Sequence, residues 1–354
     1  MAYLCYVMTM PGLETLAFSE IRARFPGTEL VKYSRGLTLF RTSTPPAELL
    51  TLRTVEDVFL VIAHIHGVSA KREALKALHA ATIKADCAPA LSIWGRIHKG
   101  KRARTWRLVS QMYGERKYRR VDAGDAVSGA LRKSLPQYLH PVKENADMEF
   151  WLWINNNEAL VGLRLSDATM RHRLYKQEHL PASLRPTVAA ALCWLSRPTK
   201  DDVVLDPLCG AGTILVERGL MAPADELLGG DIREEAIAMA KRNARVAKVD
   251  VEYGTWDARH LPLDPESVTR IISNLPFGKQ IGTPEKNREL YEDLAKEFHR
   301  VLTPDGLMVT LTSEERLWGS LLRANGWHVL KKLVIAVLGQ PATIFVAERA
   351  KKNA

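Results

Sequence analysis

Cysteine is scarce in this chain: four occur among 354 residues, Cys5, Cys87, Cys193 and Cys209, and no two form a C-x-x-C pair. That scarcity argues against a disulfide framework and a cysteine zinc site, and makes a reducing cytoplasm the expected compartment. Long apolar runs are also missing, so no segment is expected to span a bilayer. The opening residues, Met1-Ala2-Tyr3-Leu4-Cys5, lack the basic region and small-residue cleavage site of a signal peptide. No internal repeat or low-complexity tract stands out, and no acidic cluster suggests a metal. His64 and His66 lie in a mixed apolar segment and read as packing or surface histidines rather than ligands.

What is present is an ordinary globular composition, 46% hydrophobic and 25% charged, with room for two or three domains. The net charge is +10, which predicts attraction to polyanions without saying which. Its distribution says more. From Gly95 to Arg120 ten basic residues face one acid, Glu115. They are Arg96, Lys99, Lys101, Arg102, Arg104, Arg107, Arg116, Lys117, Arg119 and Arg120, interleaved with Trp94, Trp106, Tyr113 and Tyr118. A short charge run is usually a solvated face; density and aromatics together favour a nucleic-acid surface. Residues 166–185 form a second basic stretch, with Arg171 and Arg173. It reads either as a plain linker or as a path for a nucleic-acid backbone between domains.

The C-terminal half alternates strand and helix, and its polar residues fall at strand ends. Val203-Val204-Leu205 reads as a buried strand ending in Asp206-Pro-Leu-Cys209-Gly210-Ala211-Gly212-Thr213, after which a helix opens. Gly210 and Gly212 let backbone approach a ligand, and the helix N-terminus offers unpaired N–H groups. A dinucleotide fingerprint needs a third glycine where Leu215 stands, which weakens a nicotinamide oxidoreductase reading. A second strand ends at Asp231, followed by Ile232; that position accepts from ribose hydroxyls in nucleotide-binding α/β units. A third, Val249 to Tyr253, leads to Asp257 and Ala258, with Asp257 placed to accept from an adenine amino group. A fourth, Val268 to Ser273, ends in Asn274-Leu275-Pro276-Phe277-Gly278. This corner offers a side-chain carbonyl, a backbone carbonyl, a fixed turn and a stacking face, which suit an exocyclic amine on an extruded base. Any one of these acids could be a helix cap. Their recurrence at successive strand ends points to one site.

At these residues the chain resembles the class I S-adenosylmethionine (SAM)-dependent methyltransferases. Asp-Pro-x-Cys-Gly-Ala-Gly-Thr with Asn-Leu-Pro-Phe-Gly is similar to the THUMP-domain tRNA guanine-N2 methyltransferases, in the branch acting at position 6 of the acceptor stem. Leu275 stands where relatives more often have proline, which keeps the carbonyl. The resemblance implies SAM as cofactor, tRNA as partner, a monomer and no metal. It also implies that Pro181, Ala182, Ser183 and Leu184 cross over the cofactor. On this reading Asn274, Leu275, Pro276 and Phe277 hold the base. Asp206, Cys209, Gly210, Ala211, Gly212, Asp231, Ile232, Asp257, Ala258 and Asn274 line the cofactor.

The expected fold is α/β: a Rossmann-like class I methyltransferase sheet closed by a terminal antiparallel hairpin, preceded by an α+β ferredoxin-like and THUMP region. The resemblance divides the chain into a ferredoxin-like domain (1–65), a THUMP domain (66–165), a linker (166–185) and the methyltransferase domain (186–354). The hairpin Trp327–Val337 with Thr343–Glu348 must be antiparallel, because its connection is too short for a crossover helix. A tRNA guanosine-10 N2 methyltransferase, or one acting on adenine N6 or cytosine N4, would use the same corner. A non-catalytic RNA-binding protein with a retained fold is the alternative of a different class.

Overall fold

The computed structural model describes residues 2–99, 101–177, 183–277, 284–337 and 339–350. Two compact units divide the chain. One comprises Met1–Met8, Ile21–Leu52 and Asp57–Asp167; the other comprises Thr9–Glu20, Arg53–Glu56 and Ala168–Ala354.

The chain begins with β1 (Tyr3–Met8), α1 (Glu14–Arg24), β2 (Glu29–Ser34), β3 (Leu37–Thr42) and β4 (Asp57–His66). It continues with α2 (Ala74–Lys84), α3 (Ala88–Ile97), β5 (Thr105–Met112) and α4 (Arg120–Ser134), then β6 (His140–Pro141), β7 (Met148–Asn155) and β8 (Glu158–Arg164). These strands form one sheet in the order β2-β3-β1-β4-β8-β7-β5-β6. The boundary expected near residue 65 falls at the end of β4, and β4 pairs antiparallel with β8 from Phe59↔Arg164 to His66↔Glu158. One sheet therefore joins the two expected N-terminal domains. A single 3₁₀ turn covers Glu48–Thr51. A turn through Asn155–Asn157, with Asn156 at φ 50°, joins β7 and β8 as a hairpin.

Within the basic segment, periodicity sorts the residues. In α3, Ala90, Ile93 and Trp94 recur at helical spacing and are buried, so Arg96 points outward. In β5, Trp106 is buried while Arg107 lies on the opposite face. Trp94, Trp106 and Tyr118 are each 4% exposed or less. Trp94 and Trp106 are thus core residues of amphipathic elements, and Tyr118 is buried as well, so these three are not stacking faces for bases.

The second unit contains α5 (Ala168–His172), α6 (Pro186–Leu195), β9 (Val203–Asp206), α7 (Thr213–Met221), β10 (Glu226–Asp231), α8 (Glu234–Ala247) and β11 (Glu252–Thr255). It ends with β12 (Val268–Asn274), α9 (Pro284–Val301), β13 (Leu302–Thr312), α10 (Glu315–Ala324), β14 (Trp327–Val337) and β15 (Gln340–Arg349). Its sheet runs β11-β10-β9-β12-β13-β15-β14. The first five strands pair in parallel, and β15 pairs antiparallel with both β13 and β14. Helices cover both faces, as a parallel sheet requires. One core joins Val188 and Leu192 of α6, Ile214 of α7 and Ile237 of α8 to the sheet, with Met10, Leu13 and Leu16 packed into it. The other joins Tyr291, Leu294 and Phe298 of α9 to Trp318 of α10. Each fully buried large apolar side chain here contributes about 1.5–3 kcal/mol.

The third strand starts at Glu252 rather than Val249, after α8 ends at Ala247 and Lys248 takes φ 56°. No helix among the described residues is long and apolar enough to cross a membrane. All four cysteines are buried and unpaired.

Candidate active site and nucleic-acid face

Parallel pairing brings the carboxyl ends of β9, β10, β11 and β12 to one edge of the sheet, where open α/β sheets bind ligands. Asp206, Asp231 and Asn274 are the last residues of β9, β10 and β12, and Asp257 follows β11 by two residues.

The glycine loop is locked to this edge by its own backbone. Cys209 N–H donates to the Gly230 carbonyl at 2.8 Å, and Gly212 N–H to the Cys209 carbonyl at 2.8 Å. Asn243 of α8 donates to the Ala211 carbonyl at 3.0 Å. Gly212 caps α7 at φ 74°, and a Cβ there would lie 2.5 Å from Tyr253 Oη. No other residue fits without displacement. Gly210 N–H donates to Asp231 Oδ2 at 3.1 Å. Asp231 Oδ1 accepts from Arg233 N–H and Nε, each at 3.0 Å. Asp257 is gripped by Arg259, whose Nη2 donates at 2.6 Å. That guanidinium holds the Asp257 carboxyl below its ordinary range. Ile232 presents an exposed apolar side chain beside Asp231, whereas Ala258 and Cys209 are buried. Burial, helped by the nearby Asp206 charge, pushes the Cys209 thiol well up, so it is no nucleophile. Ser183 and Leu184 are described, and the buried Lys176 ammonium donates to the Leu184 carbonyl. Pro181 and Ala182 lie outside the described residues.

Asn274 carries the decisive feature. Its Oδ1 is buried, and among the described residues no hydrogen-bond partner reaches it. Such an orphaned acceptor costs about 1–3 kcal/mol unless something donates to it. Leu275 is fully buried and its N–H donates to the Leu311 carbonyl at 2.9 Å, which anchors the corner to β13. Phe277 packs against the α6–α8 side of the core while staying partly exposed. Gly278 lies outside the described residues.

The basic residues separate into two groups. Arg96, Lys99, Lys101, Arg102, Arg104, Lys117, Arg119 and Arg120 are exposed. Arg107, Arg116 and Arg173 are less exposed and are bonded within the protein. Arg107 pairs with Glu149. Arg116 donates to the carbonyls of Val68, Ser69 and Asn156. Arg173 is bound to Glu217 and to the Met170 and Arg53 carbonyls. Arg171 is half-buried and also interacts within the protein. In the N-terminal unit a cleft of about 580 Å³ is lined by Arg107, Arg120, Arg132 and Lys143. Arg132 and Lys143 escaped notice because neither lies within the dense basic run. Among the described residues one group has the donors of a metal site: His64, His66 and Glu158. There Glu158 already accepts from His64 and from the Lys32 ammonium.

With the geometry in place, comparison with known proteins is informative. The family model described as "RMKL-like, methyltransferase domain" matches residues 173–338. Just under half of the chain is therefore similar to that domain. A Thermus thermophilus relative named tRNA (guanine(6)-N2)-methyltransferase is 27% identical over 96% of this chain and 98% of its own length. A human relative named tRNA (guanine(6)-N(2))-methyltransferase THUMP3 is 30% identical over 58% of this chain. The chain spans less than half the length of that protein, 43%, and 44% of its bovine counterpart. Among solved structures, TrmN from Thermus thermophilus superposes with a TM-score of 0.82 at 26% identity, covering 99% of this chain and 100% of that one. A possible methylase from Clostridium difficile, at 21% identity, shares the fold with a TM-score of 0.78 over both full lengths. The methyltransferase domain therefore has the class I fold read from its sequence.

Proposed function

We propose that this protein transfers a methyl group from SAM to the N2 amino group of a guanosine in tRNA, at position 6 of the acceptor stem. The observation that carries the reading is the buried Asn274 Oδ1, without a hydrogen-bond partner among the described residues, at the strand end beside the glycine loop. The full-length Thermus relative supports the substrate and the position.

The residues at the sheet edge fit the cofactor. Asp231 would accept from ribose hydroxyls, Asp257 from the adenine amino group, and Asp206 would face the amino end, with Ile232 and Ala258 beside the base. The Gly210–Gly212 backbone would approach the cofactor closely, with Ser183 and Leu184 completing the site. When bound, SAM supplies an electrophilic sulfonium methyl.

A guanine amine is a poor nucleophile because its lone pair is delocalised into the ring. Asn274 Oδ1 and the Leu275 carbonyl accept its two N–H bonds, localise the lone pair and fix its direction. Phe277 stacks on the extruded ring, worth on the order of 1–3 kcal/mol by analogy with other base–aromatic contacts. Positioning supplies the rest of the acceleration. Asn274 is neutral and cannot take the proton, so water or the product carries it away. The exposed cations from Arg96 to Arg120, together with the Arg120–Arg132–Lys143 cleft, form the tRNA-docking face of a THUMP-like unit. The protein acts as a monomer in the cytoplasm.

The test is incubation with unmodified tRNA and isotopically labelled SAM, followed by mass-spectrometric mapping of the label. Label on N2-methylguanosine at position 6, lost in Asn274→Ala while SAM still binds, is the expected result. Label on adenosine or cytidine would keep the corner and overturn the substrate; no SAM binding would leave only an RNA-binding protein.

A further inference from the structure

The corner is braced from behind by a hydrogen-bond chain that ends on it. Tyr291 of α9, fully buried, donates its hydroxyl proton to the Pro276 carbonyl at 2.8 Å. The same oxygen lies 2.7 Å from Thr312 Oγ1, at the end of β13. A carbonyl can only accept, so the single Tyr291 hydrogen is committed to Pro276. Thr312 must then donate to Tyr291. Thr312 Oγ1 in turn accepts from the Glu314 N–H at 2.9 Å. Every proton from Glu314 through Thr312 and Tyr291 to Pro276 has one direction. Burial pushes the Tyr291 phenol up, so it remains a donor. Trp318 holds the Tyr291 ring edge-on, with centroids 5.5 Å apart, and is itself tied to Thr310 Oγ1 at 2.8 Å.

These hydrogen bonds act on one particular peptide. Leu275 N–H, bound to Leu311 O, fixes the peptide before the Leu275 carbonyl. Tyr291, bound to Pro276 O, fixes the peptide after it. The Leu275–Pro276 peptide between them has no hydrogen of its own, and the proline ring limits its φ. Its carbonyl direction is therefore set by its two anchored neighbours.

We propose that Tyr291, with Thr312 behind it, is a positioning residue that aims the Leu275 carbonyl at the substrate amine. This rests on the amine-holding reading above. Neither residue touches the base; both act through the Pro276 carbonyl. Aim matters because a misplacement of about 1 Å can lower a rate by up to ~100-fold.

The experiment uses Tyr291→Phe in the full chain, which keeps the ring on Trp318 and removes only the hydroxyl. Two quantities are read: the single-turnover rate of methyl transfer to tRNA, and the affinity of the S-adenosylhomocysteine-loaded protein for guanosine against inosine, which lacks the amine. The wild type should prefer guanosine. Tyr291→Phe should lose that preference and react at least ~10-fold more slowly, with SAM and tRNA affinities unchanged. Thr312→Ser, which keeps the donor, should match the wild type, and Thr312→Val should fall between. A Tyr291→Phe protein with wild-type rate and preference would overturn the inference. So would parallel loss of SAM affinity, which marks a merely structural role. A wild type without guanosine preference would instead sink the amine-holding reading, and the inference with it.

Discussion

Ser273 Oγ donates to Asp206 Oδ1 at 2.8 Å, joining the residue just before the Asn274 corner to the acid that opens the glycine loop. Leu208 N–H donates to the same oxygen at 3.3 Å. Asp206 is 1% exposed. Burial favours the neutral acid, and the two donors favour the carboxylate. Burial wins, with the Asp231 charge adding to it, and Asp206 is pushed up to about 7.

This gives stability a pH dependence of known sign. The unfolded chain releases the proton near pH ~4 and the folded chain near 7. Between those values the folded state binds more protons, so stability falls as pH rises, by at most about 1.4 kcal/mol per unit. Asp202 and Glu297 are shifted down by their donors and by Arg218, Arg270 and Arg300, so their contributions to stability run the opposite way with pH. Asp206→Asn keeps the Oδ1 acceptor and removes the titration. The denaturation midpoint of the wild type should drop relative to Asp206→Asn between about pH 5 and 7. Parallel curves would mean that Asp206 is already ionised when folded.

Asp231→Ala should weaken SAM binding by about 10- to 100-fold, the value of a charge-assisted hydrogen bond at ~1.5–3 kcal/mol. The structure adds a second reason, because Asp231 Oδ2 also holds the Gly210 N–H. Affinity for tRNA should be nearly unchanged. Titration calorimetry with each ligand separates the two, and equal loss of both would refute the division of labour between the units.

What was legible in the sequence is what chain-local physics controls. The strand-ending acids and the Asn274 corner follow from apolar runs broken by polar or proline turns, and neighbours in sequence complete them. Ser273 adjoins Asn274 and could have been noticed. Tyr291 and Thr312 could not, because their partner Pro276 is brought near only by tertiary packing. The aromatics between Gly95 and Arg120 misled for a related reason: in an amphipathic element, alternation of charge and ring is also the signature of a core face, and burial chooses that reading. The same tertiary context claims Arg107, Arg116 and Arg173, whose acceptors lie far along the chain.

Arg102 and Arg104 are exposed, so they suit a test of the docking face. Charge reversal at both should weaken tRNA binding and flatten its salt dependence. The slope of log affinity against log salt should fall by about 1 for each phosphate that is no longer neutralised. An unchanged slope would reduce this stretch to a solvated face.

Arg173 should behave in the opposite way. Its Nε lies 3.2 Å from Glu217, a fully buried carboxylate that also accepts from Arg53 Nε at 2.8 Å and Tyr175 Oη at 2.7 Å. Removing one of its two arginines leaves the buried carboxylate paired with Arg53 alone, at a cost of up to about 3–5 kcal/mol. Arg173→Ala should therefore lower the denaturation midpoint of the unit that holds Glu217. Yet the salt slope of tRNA binding, measured on the folded protein, should match the wild type. A reduced slope with an unchanged midpoint would return Arg173 to the nucleic-acid face and show that its bonds to Glu217, Met170 and Arg53 give way when RNA binds.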